Sequence, residues 1–305
     1  MSMRTDPWTT ADLEDQSGRQ VLVTGTTVGS LGHQVALELA RRQARVILAG
    51  RSSTKLEDTA AAITAQVPDA DLLMLTVDLA SLASVRRAAD RAVEFGPIDV
   101  LVNNAGLMAP PGHPRSVDGF DLQLATNHLG PFLLTGLLLP QLELSQDGRV
   151  VMVSSDLHRF ARRAPLGDPT QPPRVSPWRA YAASKLANLL FTYELERRLR
   201  LAGRAVRATA AHPGVARTAL VSNGPASRLI GTFTAALGQS AEQGAWPILM
   251  AAAARLPGGT FCGPSGSGGR HGPAVVARSS RLSHDRHAQL RLWEISESAT
   301  GLSYP

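Results

Sequence analysis

Short, mostly apolar runs alternate with helical segments along most of this chain, and that alternation restricts its fold more than any other feature. Gln20 to Thr24 reads as a buried strand stopped by a glycine, and Val35, Leu39 and Ala40 continue at helical spacing. Arg45 to Ala49 is the next strand, Thr54 to Val67 a helix broken by Pro68, and Leu72 to Val77 a third strand with Asp78 at its end. Ser81 to Phe95 reads as a helix closed by Gly96-Pro97, and Ile98 to Val102 as a fourth strand. A helix over Asp118 to Leu139 leads to strand Arg149 to Val153. A helix over Pro177 to Leu201 leads to strand Ala205 to Ala211. Ala241 to Arg255 reads as helix and Thr260 to Cys262 as a last short strand. Strands alternating with helices of about 10–15 residues indicate parallel βαβ units. Near-continuous apolar strands fit a sheet covered on both faces. The expected fold is therefore α/β: a single-domain, Rossmann-like, doubly wound parallel sheet with helices on both faces.

The chain is expected to form one domain over residues 19–305 after a polar lead, residues 1–18. The Gly/Ser-rich Ser265 to Gly272 reads as a surface loop. At 305 residues, 44% hydrophobic and 18% charged, the composition suits a globular protein with a large core. The single cysteine, Cys262, excludes an internal disulfide framework and suits a reducing compartment. The lead has no apolar stretch of signal-peptide type. No run reaches the roughly 18 consecutive apolar residues of a membrane helix, so no membrane span and a cytoplasmic setting are expected. The net charge of +6 comes from scattered arginines without a dense basic run, which argues against a nucleic-acid partner.

In sheets of this kind ligands bind beyond the carboxyl ends of the strands. Gly25 to Gly32, Arg51, Asp78, Asn103 to Gly106, Ser155 and His212-Pro213-Gly214 all fall there. At the head of the Pro177 to Leu201 helix stands Tyr181-Ala182-Ala183-Ser184-Lys185. Residues four apart share a helix face. The pair places an ammonium beside a phenol and is expected to lower a pKa of about 10. Lys55 and Lys185 are the only lysines in an arginine-biased chain, which sets the pairing apart from coincidence.

With these residues in place, the chain resembles the short-chain dehydrogenase/reductase family, and within it the retinol-dehydrogenase-like branch. Thr24-Gly25-Thr26-Thr27-Val28-Gly29-Ser30-Leu31-Gly32 is similar to the family's T-G-x-x-x-G-[I/L]-G, with one extra residue. The spacing from Gly32 to Val46 is family-like, so the insertion lies within Gly25 to Leu31. Either Gly29 stays at the phosphate or Ser30 stands where the middle glycine usually is. Asn103-Asn104-Ala105-Gly106 resembles the family's N-N-A-G turn. The branch resemblance rests on Asn127-His128-Leu129-Gly130-Pro131-Phe132, Ser154-Ser155-Asp156-Leu157-His158, Ser184-Lys185-Leu186-Ala187-Asn188 and the long insert before Tyr181.

The resemblance implies a catalytic tetrad of Asn127, Ser155, Tyr181 and Lys185. Ser155 would hydrogen-bond the substrate oxygen and Tyr181 exchange its proton. Lys185 would tune the tyrosine and bind the nicotinamide ribose, with Asn127 linking it to solvent. The dinucleotide would lie on Gly25, Thr27, Gly29, Ser30, Leu31 and Gly32. It would then pass Arg51, Asp78 and Leu79, border Asn104, Ala105 and Gly106, and meet Tyr181 and Lys185. Pro213, Gly214, Val215 and Thr218 would contact the nicotinamide carboxamide. The second strand ends on Arg51 with no acid, which favours the 2′-phosphate of NADP(H) over NAD(H). The implied reaction interconverts a ketone or aldehyde with an alcohol on a lipophilic small molecule. The family also makes a homo-oligomer an expectation. A non-redox member of the fold, such as a dehydratase, cyclase or cofactor-sensing protein, is the alternative, and the altered loop is its support.

Other residues are set aside. Asp156 and His158 stand near Ser155, but no G-x-S-x-G elbow supports a hydrolase. His113, His158, His212 and Cys262 are dispersed and lack metal-ligand spacing. Arg159, Arg162 and Arg163 read as a solvated loop face. Trp178 and Val221 to Gly238 are substrate walls by family analogy alone.

Overall fold

The computed structural model describes residues 6–215 and 239–305. Eight strands form one sheet in the order β3-β2-β1-β4-β5-β6-β7-β8. They are β1 (Gln20–Thr24), β2 (Arg45–Gly50), β3 (Leu72–Thr76), β4 (Val100–Asn103), β5 (Arg149–Val153), β6 (Arg207–Ala211), β7 (Phe261–Pro264) and β8 (Ala274–Val276). Pairings from β3 through β7 are parallel, with Val21 opposite both Val46 and Val100. Only β8 runs antiparallel, with Val276 opposite Cys262. The strand order reverses between β1 and β4, the place where sheets of this kind bind ligands beyond their strand ends.

Among the described residues the α-helices are α1 (Leu31–Arg41), α2 (Ser53–Thr64), α3 (Leu82–Val93), the single turn α4 (Leu122–Leu124), α5 (Gly130–Glu143), α6 (Pro177–Leu201), α7 (Ala241–Ala253) and α8 (Arg286–Thr300). Serine starts many of them. Ser30, Ser52, Ser81, Ser176 and Ser240 accept a backbone N–H at the heads of α1, α2, α3, α6 and α7. Each such cap contributes about 1 kcal/mol. Strand residues alternate between two cores. Val21 and Val23 join α1 and α7 on one face, while Leu22 joins α3, α5 and α6 on the other.

The expected architecture is present, and its departures have local causes. The helix expected over Asp118 to Leu139 starts at Leu122, where Asp121 caps it, because Arg115 and Asp121 pair across a turn. It runs on to Glu143, passing through a π-helical stretch at Ala125–Leu129. The second helix ends at Thr64 rather than Val67. The lead is not only polar surface: Trp8 is 1% exposed, exchanges backbone hydrogen bonds with Ala274, and packs with α1 and α7. β8 and α8 lie beyond anything expected from the sequence. α8 covers α5 and α6 through Trp293, whose ring stacks on Phe191 at 5.7 Å and meets Phe132 at 5.0 Å. Behind the π-helical stretch, His128 Nε2 lies 2.8 Å from Ser296 Oγ of α8.

Candidate active site

The turn from β1 into α1 is built by close approach. Gly25 has φ of 77°, and a Cβ there would lie 2.9 Å from Ala105 Cα. A Cβ on Gly32 would lie 2.4 Å from the Gly25 carbonyl oxygen and 2.6 Å from Asn104 Nδ2. Thr27 and Gly29 are exposed, and Gly29, at φ 79°, has open space around it. Ser30 is turned into the loop. Its Oγ caps α1 by accepting His33 N–H and donates to the Gly25 carbonyl at 3.0 Å, so Ser30 folds back into the turn. Gly29 keeps the exposed position at the head of α1. Its N–H donates to His33 Nδ1 at 3.3 Å. Leu31 is buried at the start of α1.

The neighbouring strand ends close around this turn. Asn104 Nδ2 donates to the Thr24 carbonyl at 2.7 Å, while Asn104 N–H and Ala105 N–H both donate to Thr24 Oγ1 at 3.0 Å. Arg51 is exposed beyond β2 and makes no hydrogen bond or ion pair among the described residues. The Asp78 carboxylate accepts Ala80 N–H at 3.0 Å, and Leu79 is buried in the core against α5. The glycine cradle, the exposed head of α1 and the unpaired Arg51 fit a dinucleotide phosphate chain.

Asn127, Ser155 and the α6 pair Tyr181 and Lys185 come from three separate stretches and converge. A Cβ on Gly106 would lie 3.3 Å from Lys185 Nζ and 3.4 Å from Asn127 Oδ1. Asn127 Oδ1 accepts Leu107 N–H at 2.7 Å, and its Nδ2 donates to the Leu107 carbonyl and to Ser184 Oγ, both at 2.9 Å. Both amide hydrogens and one acceptor site of the side chain are thus engaged, two of the three bonds holding the segment after Asn104-Ala105-Gly106. Asn127 sits in the π-helical stretch, a distortion that recurs at functional sites. Ser154 donates to the Lys185 carbonyl at 2.8 Å, which leaves Ser155 as the serine beside the Tyr181 phenol. Lys185 Nζ donates to the Val153 carbonyl at 3.0 Å and lies 5.8 Å from the Tyr181 ring centroid.

The electrostatics correct the expectation for the pair. Burial pushes the Tyr181 phenol up to about 12, against the opposing pull of the Ser155 hydrogen bond. Burial also pulls the Lys185 ammonium down to about 8. Desolvation is the largest cause at both groups. A buried ammonium whose pKa is depressed costs stability below that pKa, and the cost fades as pH rises from about 8 toward the unfolded value. Lys185→Met is accordingly expected to raise the thermal midpoint at pH 7 by a few degrees, roughly 1 kcal/mol. The Val153 carbonyl keeps its bond from Asn188 Nδ2 at 3.1 Å, so the substitution leaves no orphan there. Thermal melts of both proteins from pH 7 to 10 check this; the gap should narrow with rising pH.

The segment after β6 shows a role the sequence did not signal. Gly214 has φ of 66°, and a Cβ there would lie 2.4 Å from the Arg270 carbonyl oxygen. Val215 N–H donates to that carbonyl at 3.0 Å, and Gln239 Nε2 donates to the Pro213 carbonyl at 2.7 Å. Gln239 Oε1 in turn accepts Gly272 N–H. Ser265 to Gly272, expected as a plain surface loop, therefore holds Pro213-Gly214-Val215 in place. Thr218 and Val221 to Gly238 lie outside the described residues. Trp178 is 39% exposed, three residues before Tyr181 on α6.

Two other chemistries find no support. His158 gives its ring to the Ser155 carbonyl and to Ser280 N–H, not to Ser155 Oγ, so no serine–histidine nucleophile pair forms. Among the described residues no group of three or more His, Cys, Asp or Glu side chains could hold a metal. No helix among them is long and apolar enough to cross a membrane.

Comparison with known proteins agrees with this geometry. The family profile described as short chain dehydrogenase matches residues 19–228. Retinol dehydrogenase 12 of Homo sapiens is 39% identical over 238 residues, 78% of this chain and 74% of that protein. Polyprenol dehydrogenase of Mus musculus is 37% identical over 300 residues, 95% of this chain and 86% of that protein. A crystal structure of a protein from Mycobacterium paratuberculosis superposes with a TM-score of 0.80 at 41% identity, covering 98% of this chain and all of the other.

Proposed function

Because the chain belongs to the short-chain dehydrogenase/reductase family, in its retinol-dehydrogenase-like branch, we propose that it is an NADP(H)-dependent oxidoreductase interconverting a lipophilic ketone or aldehyde and its alcohol. The observation that carries this reading is the convergence of Ser155, Tyr181, Lys185 and Asn127 beside the glycine turn that joins β1 to α1. Retinol and polyprenol, the alcohols in two relatives' names, are both long and apolar, which supports a lipophilic substrate. Arg51, exposed and unpaired beyond β2, supports a 2′-phosphate on the cofactor.

NADP(H), when bound, supplies or accepts the hydride. The chain's own groups handle the substrate oxygen and its proton. Ser155 Oγ accepts Leu157 N–H at 3.2 Å, which occupies an oxygen lone pair and leaves its one hydrogen to donate to a substrate carbonyl oxygen. Tyr181 is protonated at neutral pH, since burial holds its phenol near 12, and so serves as the acid when a carbonyl is reduced. Lys185 stays within reach of the phenol ring, anchored to β5 through Val153. Asn127 holds the strand-end segment against which Lys185 rests. A small-molecule carbonyl or alcohol is thus the partner this site is built for.

A non-redox member of the fold is the second reading, and one observation favours it: the Gly29 N–H, a natural phosphate donor, is taken by His33 Nδ1. Steady-state NADPH oxidation with long-chain aldehydes and ketones separates the two. Turnover supports the oxidoreductase; cofactor binding without turnover of any carbonyl or alcohol supports the second reading.

A further inference from the structure

One fully buried titratable side chain beside the site has no part in the chemistry described so far. His158 has 0% exposure. Its Nδ1 lies 2.7 Å from the Ser155 carbonyl oxygen, and because a carbonyl only accepts, Nδ1 carries the hydrogen. Its Nε2 accepts Ser280 N–H at 3.0 Å. The partners therefore settle one neutral tautomer with both nitrogens used. The ring edge packs on Phe261 of β7 at 5.7 Å and 89°. The charged or titratable groups facing it are Asp156 and Arg159 on its own turn and His212 at the end of β6. Burial lowers its pKa and keeps the ring neutral.

These bonds bear on the serine. The Ser155 carbonyl receives two hydrogen bonds from one residue, the His158 N–H at 3.0 Å and the ring. Together they close the 3₁₀ turn Asp156–Phe160, whose Leu157 N–H is the one that donates to Ser155 Oγ. The same ring ties this turn to the segment after β8, and Arg159 adds a second tie to the Arg278 carbonyl. We propose that His158 is a positioning residue: it locks the Ser155 turn so that Oγ keeps its Leu157 partner and its place beside the Tyr181 phenol. This rests on the reading of Ser155 as the hydrogen-bond donor to a substrate carbonyl.

Two near-isosteres divide the ring's functions. His158→Asn carries an amide nitrogen close to where Nδ1 stands and keeps the Ser155 bond. His158→Gln carries an amide oxygen close to where Nε2 stands and keeps only the Ser280 bond. kcat per NADPH-binding site is expected to fall roughly tenfold or more in His158→Gln, on the scale that misplacing a catalytic group costs. His158→Asn should restore most of that loss, and NADPH affinity should hold in both. In a Ser155→Ala background the Gln substitution should have little further effect, because its loss runs through Ser155. Equal kcat in the Asn and Gln variants, or a Gln effect that persists undiminished without Ser155, would overturn the proposal. Hydrogen exchange at the Leu157 amide reads the same lock without turnover. Faster exchange in His158→Gln than in His158→Asn supports it, and equal exchange overturns it, even if the wild-type protein reduces no carbonyl and the proposed function itself fails.

Discussion

Tyr181→Phe is expected to lower kcat about 10²–10⁴-fold, the range that a positioned general acid contributes. The phenol is 4% exposed and its ring is flanked by buried α6 residues, so phenylalanine keeps the packing and removes only the hydroxyl. The turn from β1 into α1 is untouched, and NADPH affinity should stay near that of the wild type. Ser155 retains its Leu157 bond and Lys185 its Val153 bond, so the geometry around the missing hydroxyl persists. Steady-state NADPH oxidation and a parallel NADPH titration measure the two quantities. Unchanged kcat would remove Tyr181 from the proton-transfer step.

Gly32→Ala is expected to damage both stability and cofactor binding, although alanine is ordinarily the better helix residue. The added Cβ would stand 2.4 Å from a backbone oxygen that cannot easily retreat. Gly25 is fixed by its N–H to the Ala49 carbonyl at 2.7 Å, and its carbonyl accepts from both Ser30 Oγ and Asn104 Nδ2. Relief requires α1 to move away from β1 and β4, at a cost of about 1–3 kcal/mol, as for other overpacked sites. That movement shifts the head of α1, and NADPH should bind more than about tenfold more weakly, since about 1.4 kcal/mol of lost contact is a factor of ten. Gly29→Ala is the control. Open space surrounds that position, so only its positive φ resists, at roughly 1–2 kcal/mol. Thermal melts and NADPH titrations of both variants check the order, and a Gly32→Ala protein as stable as the wild type would contradict the close approach.

Much of the fold could be read from punctuation. β1, β5 and α6 match their expected limits to the residue, because Gly25, Ser154, Pro177 and Ala202-Gly203 mark where each pattern stops. β8 escaped notice because a three-residue strand has no period, and its pairing with β7 is purely tertiary. α8 buries Leu292 and Trp293 against α6, but its sequence is dominated by charged and small residues. At the site, the family resemblance named Asn127, Ser155, Tyr181 and Lys185, and the structure places them near one another. Their electrostatics were not legible in sequence: nearness of Lys185 to Tyr181 predicts a lowered phenol pKa, whereas burial, a property of the whole fold, raises it. The turn of Ser30 onto the Gly25 carbonyl is a matter of loop conformation, which residue types and spacing leave open. His158 carried a visible signal, three residues after Ser155, yet its bond to Ser280 joins segments more than a hundred residues apart in sequence.

Arg51 links the cofactor assignment to a single charge. Titrating the purified protein with NADPH and with NADH, followed by the quenching of its tryptophan fluorescence, sets the two cofactors against each other. The wild type is expected to bind NADPH more tightly by roughly tenfold or more, the value of one charge-assisted pair with a 2′-phosphate. Arg51→Asp should reverse that order, because a carboxylate repels the phosphate and accepts a ribose hydroxyl. Binding of neither cofactor by the wild type would contradict the oxidoreductase account, and tighter binding of NADH would contradict the role given to Arg51.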